Sequence, residues 1–311
     1  MTRQSDSGEG GAQGVIRRSD SGEAPSNDPL GPKLPAPSGA KRIAAAFQQA
    51  KEEGRAALMP YMMAGYPDSE TSRAVAAAYA DSGADLVELG VPFSDPLADG
   101  PTIHAAGTKA LEGGATLETA LEICREISGR VPVVFMVYAN MVLAQGGAEA
   151  FAERALAVGA AGAIVPDLPL EEAESVREAF SAVGLALVPL VAPTTPAERR
   201  ARICAAAQGF VYVVSTVGTT GERDELPPEL SDLVVATRAD AEVPVAVGFG
   251  IGTPDQAAQV GAVADGVIVG SRLVRAAGEA DGPIAAARAV GAFLRDSRAA
   301  LAAETGGRPN G

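Results

Sequence analysis

The chain has 311 residues, and its 39 acidic side chains outnumber its 25 basic ones, which gives a formal net charge of −14. This charge argues against a nucleic-acid partner, which needs a basic face, and against a polybasic membrane anchor. The longest strongly apolar stretch, residues 131–144, is too short to span a bilayer and is interpreted as core. No positively charged segment precedes an apolar run at the N-terminus, so we expect a cytoplasmic protein.

Rare residue types exclude several kinds of chemistry. His104 is the only histidine, so a metal site built from several histidines is excluded, and no nucleophile motif accompanies it for a serine triad. The two cysteines, Cys124 and Cys204, lack CxxC spacing and are expected to be buried apolar thiols. None of the four lysines ends a predicted strand, which disfavours a Schiff base.

Residues 1–40 differ from the rest of the chain. They hold 7 glycines, 5 prolines and 6 serines but only four residues from Leu, Ile, Val and Phe. Such a segment cannot bury enough apolar surface to offset its ordering entropy, and the sequence SDSGE occurs in it twice. We therefore predict a disordered tail over 1–40, a catalytic domain over 41–303 and a flexible C-terminus over 304–311.

From Lys41 onward, short apolar runs alternate with alanine-rich helical patterns. A first helix is predicted over 42–53. Eight strands are predicted over residues 58–63, 86–89, 133–137, 163–165, 186–190, 210–214, 244–247 and 267–269. Helical patterns between them cover residues 69–81, 117–127, 148–158, 170–183, 196–206, 228–238 and 254–260.

This alternation favours the α/β class and a (β/α)8 TIM barrel in a single domain with an extra N-terminal helix, since such barrels take about 250 residues. The continuously apolar runs are typical of parallel strands buried on both faces. A doubly wound open sheet is the alternative. It usually has fewer strands and a dinucleotide fingerprint after the first, which residues 64–68 do not provide. In a barrel, the chemistry lies on the loops that follow the strands.

The most unusual segment, ELGVPFSDPLADGP over residues 88–101, follows the second predicted strand. Glu88 ends an otherwise apolar strand, where burial is expected to raise its pKa toward the range useful for acid–base chemistry. Asp99, in the following loop, is a second candidate. Structural pairing of Glu88 and helix or turn capping by Asp99 remain open, and for Asp95 capping is preferred.

Glycine-rich turns follow the sixth, seventh and eighth predicted strands, at residues 215–221 and 248–253 and at Gly270. Barrels often bind phosphate at the last two of these loops, where backbone N–H groups and a helix N-terminus face the anion. A single glycine turn is weak evidence, but three at adjacent strand ends favour phosphate. The spacing is not a dinucleotide fingerprint.

The few aromatic side chains fall close to strand ends. Those on or just after predicted strands are Tyr61, Tyr138, Tyr212 and Phe249. Phe93 lies in the loop after the second strand. Each one alone fits a core position, and together they form a candidate wall for a flat apolar ligand at the mouth of the barrel. His104 is expected to be an exposed helix residue.

At these segments, from about Lys41 to Ala302, the chain resembles the family of tryptophan synthase α subunits. The string ELGVPFSDPLADGPTI at residues 88–103 resembles the family's hallmark almost letter for letter. Further agreement, in the same order, lies at residues 60–65, 138–140, 165–169, 218–221 and 248–250. The resemblance implies a lyase that cleaves indole-3-glycerol phosphate to indole and glyceraldehyde 3-phosphate, in the last step of tryptophan biosynthesis, without metal, Schiff base or other cofactor.

The resemblance also implies a role for particular residues. Glu88 is the implied acid–base at indole C3 and at the glycerol hydroxyl, Asp99 accepts the indole N–H, and Tyr212 lies close to the reacting carbon. The implied indole pocket consists of Tyr61, Tyr138, Ile164, Val191 and Phe249. The implied phosphate site consists of Gly221, Gly250, Gly270 and Ser271. Asp167 is implied in the interface with a β subunit, which receives the indole within an α2β2 heterotetramer.

The chain departs from the family pattern at Thr216, Thr219 and His104. These differences concern the loop after the sixth strand and the interface rather than the chemistry. Two other function classes remain open. One is a subunit that mainly binds and activates its partner, against which the intact Glu88 and Asp99 argue. The other is a different phosphosugar barrel, such as an epimerase or isomerase, whose metal-dependent forms are disfavoured by the single histidine.

Overall fold

The computed structural model describes residues 38–144, 146–214, 228–248 and 250–304. Most of the predicted tail and of the predicted flexible C-terminus lie outside these ranges, so both stay predictions. The first helix, α1, begins at Gly39, three residues earlier than expected, and its first backbone N–H donates to the Gly184 carbonyl at 2.7 Å. The barrel unit therefore includes residues that the sequence assigned to the tail.

Nine parallel strand segments form one sheet in the order β5-β4-β3-β2-β1-β9-β8-β7-β6. Their bounds are β1 Ala57–Met63, β2 Val87–Gly90, β3 Val133–Met136, β4 Gly162–Ile164, β5 Ala186–Val188, β6 Leu190–Val191, β7 Val211–Val214, β8 Val245–Gly248 and β9 Gly266–Val269. Segment β5 pairs with β4, and β6 pairs with β7. The two segments thus share one strand position, interrupted at Pro189, and the eight predicted strands of the TIM barrel are confirmed.

Helices alternate with these strands along the chain. Their bounds are α1 Gly39–Glu52, α2 Ser69–Asp81, α3 Pro101–Glu112, α4 Leu117–Ile127, α5 Ala139–Leu143, α6 Gly147–Ala157, α7 Glu174–Val183, α8 Ala197–Ala205, α9 Pro228–Asp240, α10 Pro254–Gly261, α11 Ser271–Gly278 and α12 Pro283–Glu304. A 3-10 turn at Leu170–Glu172 precedes α7, so the single helix predicted over 170–183 is divided. Within the described residues, no helix is long and apolar enough to cross a membrane.

Local sequence sets several of these helix starts. The Asp68 side chain accepts a hydrogen bond from the Thr71 backbone N–H at 2.9 Å and caps α2. Thr253 and Gln256 form a reciprocal capping box at α10. These caps are encoded within four residues, which is why the starts of α2 and α10 match the predicted positions.

Side chains on alternate strand residues face the barrel interior, because successive residues in a strand point to opposite faces. The interior cluster is formed by Ala57, Met59, Leu86, Val134, Ala161, Ile164, Ala186, Val188, Phe210, Ala246 and Ile268, together with the α1 residues Ile43, Phe47 and Ala50. Helix α1 therefore closes the amino end of the barrel with apolar side chains.

Buried charges at the amino end are paired. Arg55, just before β1, donates to both carboxylate oxygens of Asp85 at 2.5 and 2.7 Å, and its side chain is 1% exposed. Asp85 also accepts from the Leu58 backbone N–H at 2.7 Å and from Arg298 of α12 at 3.3 Å. Glu53 contacts both arginines. The network connects α1, two strands and the last helix.

Candidate active site

The carboxyl end of the barrel is shaped by glycines with tyrosine rings over them. A Cβ atom added at Gly90 in β2 would lie 2.2 Å from the hydroxyl oxygen of Tyr61, on the neighbouring strand β1. A Cβ at Gly248 in β8 would lie 2.3 Å from the hydroxyl of Tyr212, on the neighbouring strand β7. Real Cβ atoms essentially never approach another atom so closely, so only glycine allows these two ring positions.

Glu88 lies on β2, directly opposite Tyr61 in the strand register. It is 1% exposed, and its Oε2 atom has no hydrogen-bond partner among the described residues. Burial, followed by the negative charge of Asp99, raises the pKa of Glu88 to about 8. At neutral pH this carboxyl is therefore mostly protonated. The raised pKa agrees with the expectation drawn from its buried position in the sequence.

Asp99 lies in the loop between β2 and α3, where its charge acts on Glu88, and it is held by a tyrosine. The Tyr138 hydroxyl donates to Asp99 Oδ1 at 3.0 Å and accepts from the Ala98 backbone N–H at 3.1 Å. The Tyr138 ring stacks on Phe93, with centroids 5.1 Å apart. Burial raises the pKa of Asp99, while the Tyr138 hydrogen bond and the nearby His104 act in the opposite direction. The Tyr138 hydroxyl thus holds the Asp99 carboxyl in a fixed orientation relative to the loop.

The third side of the mouth is the start of α11. The Leu273 and Val274 N–H groups bond to the Gly270 carbonyl at 2.9 and 3.1 Å. The N–H groups at the very start of the helix, at Ser271 and Arg272, belong to the set that helices leave for capping groups or anions. A Cβ at Gly270 would meet nothing closer than Tyr61 Cβ at 3.8 Å, which is an ordinary van der Waals contact, so the Tyr61 side chain borders this side of the site.

Two of the predicted pocket residues, Ile164 and Val191, lie on opposite faces of the sheet. Ile164 belongs to the interior cluster, as expected. Val191 does not face the mouth: it packs in the outer core between strands and helices and pairs in register with Val213. Its neighbour Leu190 pairs with Tyr212 and packs against the interior cluster instead. The prediction for Val191 was therefore wrong by one residue, which in a strand reverses the face.

Two further side chains, Leu190 and Met136, pack against the interior cluster and were not among the predicted pocket residues. Met136 ends β3 and packs against both the interior cluster and the cluster that contains Tyr61. The signal for both was strand alternation counted from a neighbouring interior residue, for example from Val134 to Met136. Two predicted residues, Gly221 and Phe249, lie outside the described ranges, so their placement stays a prediction. Gly250 is half-buried just after β8.

The remaining candidates also have clear positions. His104 is exposed on α3, and both cysteines are buried with raised pKa values, that of Cys124 to about 12. Asp95 is exposed and accepts a hydrogen bond from Ser94. Asp167 accepts from the Ala139 backbone N–H at 2.8 Å. Among the residues that the structure describes, no group of three or more His, Cys, Asp and Glu side chains is arranged to hold a metal ion.

The parallel barrel, with a buried carboxyl on β2 whose Oε2 atom has no hydrogen-bond partner among the described residues, has the architecture of a (β/α)8-barrel enzyme. Comparison with known proteins gives the particular family. A family model described as "Tryptophan synthase alpha chain" matches residues 47–301. The chain belongs to this family and is accordingly a lyase of tryptophan biosynthesis.

Relatives agree along nearly their whole length. The tryptophan synthase alpha chain of Prochlorococcus marinus is 48% identical over 260 residues, which are 82% of this chain and 94% of the relative. That of a Synechococcus strain is 50% identical over 236 residues, 75% of this chain and 87% of the relative. A Mycobacterium tuberculosis tryptophan synthase structure superimposes with a TM-score of 0.77 at 39% identity, covering 84% of this chain and 98% of that one.

Proposed function

We propose that the chain catalyses the retro-aldol cleavage of indole-3-glycerol phosphate to indole and glyceraldehyde 3-phosphate. Family membership supports this reaction class. The observation that carries the mechanism is Glu88, a buried carboxyl whose pKa is raised to about 8 and whose Oε2 lacks a partner among the described residues. Such a group is a proton donor near neutral pH and a strong base once it has lost its proton.

The first step is protonation of the indole ring at C3 by Glu88. The ring gains a positive charge, which is shared with the indole nitrogen. Asp99 accepts a hydrogen bond from the N–H group and stabilises this charge, and the Tyr138 hydroxyl fixes the direction of its carboxyl. In this proposal Glu88 transfers the proton, and Asp99 stabilises the positive charge from the other side of the flat ring.

The second step breaks the carbon–carbon bond. The Glu88 carboxylate removes the proton from the hydroxyl on the glycerol carbon attached to C3, and the O–H electrons form the aldehyde carbonyl. The electron pair of the C–C bond returns to the ring, which becomes neutral aromatic indole. Glu88 ends the cycle protonated, so no external oxidant, reductant or metal is needed for the balance.

The phosphate and the indole ring of the substrate are assigned to different parts of the barrel mouth. We assign the phosphate to the start of α11 at Gly270 and Ser271, with Gly250 and Gly221 contributing from their loops. The indole ring lies against Tyr61, Tyr138, Ile164 and Phe249, to which we add Met136 and Leu190. Tyr212 stands over Gly248 beside the reacting carbon.

We further propose that the chain works in the cytoplasm with a tryptophan synthase β subunit, as an α2β2 heterotetramer that passes indole to the β active site. The family supports the partner. The loop that carries Asp99 also carries the exposed Leu97, at 85% exposure, and the neighbouring helix α5 carries the exposed Leu143. These side chains next to the site are candidates for the contact that links the two subunits.

An indole-release assay tests the proposal. Purified chain is incubated with indole-3-glycerol phosphate, with and without a β subunit, and indole is measured directly. We expect indole in both cases, a higher rate with the β subunit, and a decline of kcat/KM above about pH 8 as Glu88 loses its proton. Absence of indole in both cases contradicts the proposal. Absence of cleavage with stimulated β activity favours a subunit that only activates its partner.

A further inference from the structure

The ring of Tyr61 lies across the barrel mouth, and its two ends face different strands. The Cβ and Cδ1 atoms of Tyr61 lie 3.8 and 3.9 Å from the Cβ position built at Gly270, next to the proposed phosphate site. The hydroxyl oxygen lies 2.2 Å from the Cβ position built at Gly90, on the other side. The hydroxyl is therefore directed toward β2 and away from the phosphate.

This hydroxyl stands beside the acid–base group. Gly90 lies two residues after Glu88 on the same strand, so both face the barrel interior. Tyr61 is also the register partner of Glu88. Burial raises the pKa of Tyr61, and the negative charges of Asp99 and Glu88 add to this rise. The hydroxyl consequently stays protonated and remains a hydrogen-bond donor throughout the pH range of the reaction.

Glu88 needs such a donor when it is ionised. Its Oε2 atom is buried without a partner among the described residues, and a bare carboxylate in such a place is costly. The titratable groups that face it are Asp99 from the β2–α3 loop, Tyr61 from β1 and Tyr212 from β7. Asp99 repels a second negative charge, so among the titratable groups of the described residues the two tyrosine hydroxyls are the candidate donors.

We propose that Tyr61 is a positioning residue: its hydroxyl donates a hydrogen bond to the Glu88 carboxylate whenever Glu88 is ionised. Glu88 is ionised after it has protonated indole C3 and before it removes the proton of the glycerol hydroxyl. In that interval its carboxylate must point at the glycerol hydroxyl. The proposal rests on the function proposed above, and it assigns Tyr61 more than a place in the wall of the indole pocket.

The test is Tyr61→Phe in the full chain with its β subunit, assayed with indole-3-glycerol phosphate. We expect kcat to fall about tenfold, the effect of one hydrogen bond to a charged group, while KM changes less than about twofold because the ring is retained. The alkaline limb of kcat/KM moves to higher pH by about one unit, because a carboxylate that loses a donor holds its proton more tightly.

Tyr79→Phe is the matched control. The Tyr79 hydroxyl is buried and donates to the Tyr61 backbone carbonyl at 3.0 Å, so this variant removes a nearby tyrosine hydroxyl that has no contact with substrate. For Tyr79→Phe we expect a lower melting temperature, whereas the alkaline limb of kcat/KM should stay at the same pH as in the wild type. A Tyr61→Phe variant with unchanged kcat and pH limb overturns the proposal, as does one in which only KM rises. Loss of activity in Glu88→Gln, measured in parallel, shows separately that the function itself holds.

Discussion

Two buried carboxyls three residues apart, Asp85 and Glu88, mark the two ends of the barrel. Asp85 lies at the amino end and is bonded to Arg55, to Arg298 and to the Leu58 backbone N–H. Glu88 lies on the following strand toward the carboxyl end, and its Oε2 has no partner among the described residues. Full pairing keeps a buried carboxylate charged and structural, whereas burial without a cation raises the pKa and makes a carboxyl useful for proton transfer.

The two ends also differ in how they are filled. At the amino end, Ile43 and Phe47 of α1 pack against the interior side chains. At the carboxyl end, Gly90 and Gly248 take interior positions, and the rings of Tyr61 and Tyr212 lie directly over them. One end of the barrel is thus built for stability and the other for binding, and substitutions at the two ends are expected to have separable effects.

The largest expected effect is that of Glu88→Gln on turnover. The amide keeps the shape of the side chain but cannot transfer protons, so we expect a decrease of about 10²–10⁴-fold in kcat. The melting temperature should not fall, because a costly buried carboxyl is replaced by a neutral group. Indole release and thermal unfolding measure the two quantities, and turnover within a few-fold of wild type contradicts the assignment.

The opposite result is expected for Asp85→Ala. Removing this carboxylate leaves Glu53 as the acidic partner of the buried Arg55 guanidinium among the described residues, so the free energy of unfolding should fall by about 3 kcal/mol. Activity per folded molecule should be unchanged. Asp81→Ala, which breaks the exposed ion pair with Arg130, is the control and should change stability by at most about 1 kcal/mol. Similar losses in both variants would show that the amino-end network is no more than a surface pair.

Asp99→Asn should lower cleavage by about tenfold to a hundredfold, since one hydrogen bond to a charged group is lost in the transition state. Asp95→Asn, in the same loop but exposed, should have little effect on the isolated chain. An N-methylated substrate sharpens the test, because wild type and Asp99→Asn should then cleave at similar rates. If wild type cleaves the N-methylated and natural substrates equally well, Asp99 does not act on the indole nitrogen.

The smallest of these effects is expected at the start of α11. Gly270→Leu should raise KM for indole-3-glycerol phosphate about tenfold or more by obstructing the phosphate, since about 1.4 kcal/mol of lost binding is tenfold. Indole glycerol, which lacks phosphate, should be affected much less, and Ser271→Ala should cost little because backbone N–H groups do most of the binding. Equal losses for both substrates, at unchanged thermal stability, would place the phosphate elsewhere.

Much of the fold could be predicted because its signals are local. Helices α2 and α4 have the predicted bounds, and every predicted strand is present. The 22-residue helix α12 was missed, and the break at Pro189 was not anticipated, although proline cannot donate the ladder hydrogen bond that a continuous strand needs. Helix α1 begins early because Gly39 bonds to Gly184, a contact between residues far apart in the chain.

The candidate site likewise has features set by local sequence, which could be predicted, and features set by contacts between distant residues, which could not. Glu88 and Asp99 stand out from their neighbours in the sequence, so their proximity to the site could be predicted from the loop alone. The hydrogen bond between Asp99 and Tyr138 joins residues 39 positions apart and depends on how β2 and β3 sit side by side. The error at Val191 has a similar cause, because the face of a two-residue strand segment is decided by its pairing with Tyr212 rather than by its composition.

Because each tyrosine hydroxyl lies over a glycine, the two residues of a pair constrain each other's substitutions during evolution. An alanine at Gly90 has no room while Tyr61 keeps its ring, and the same holds for Gly248 and Tyr212. Each pair is therefore epistatic: a change that is harmful alone becomes acceptable only after its partner has been replaced by a smaller side chain. A larger residue at Gly90 or Gly248 therefore has to follow a smaller side chain at Tyr61 or Tyr212, so the order of the two substitutions is fixed.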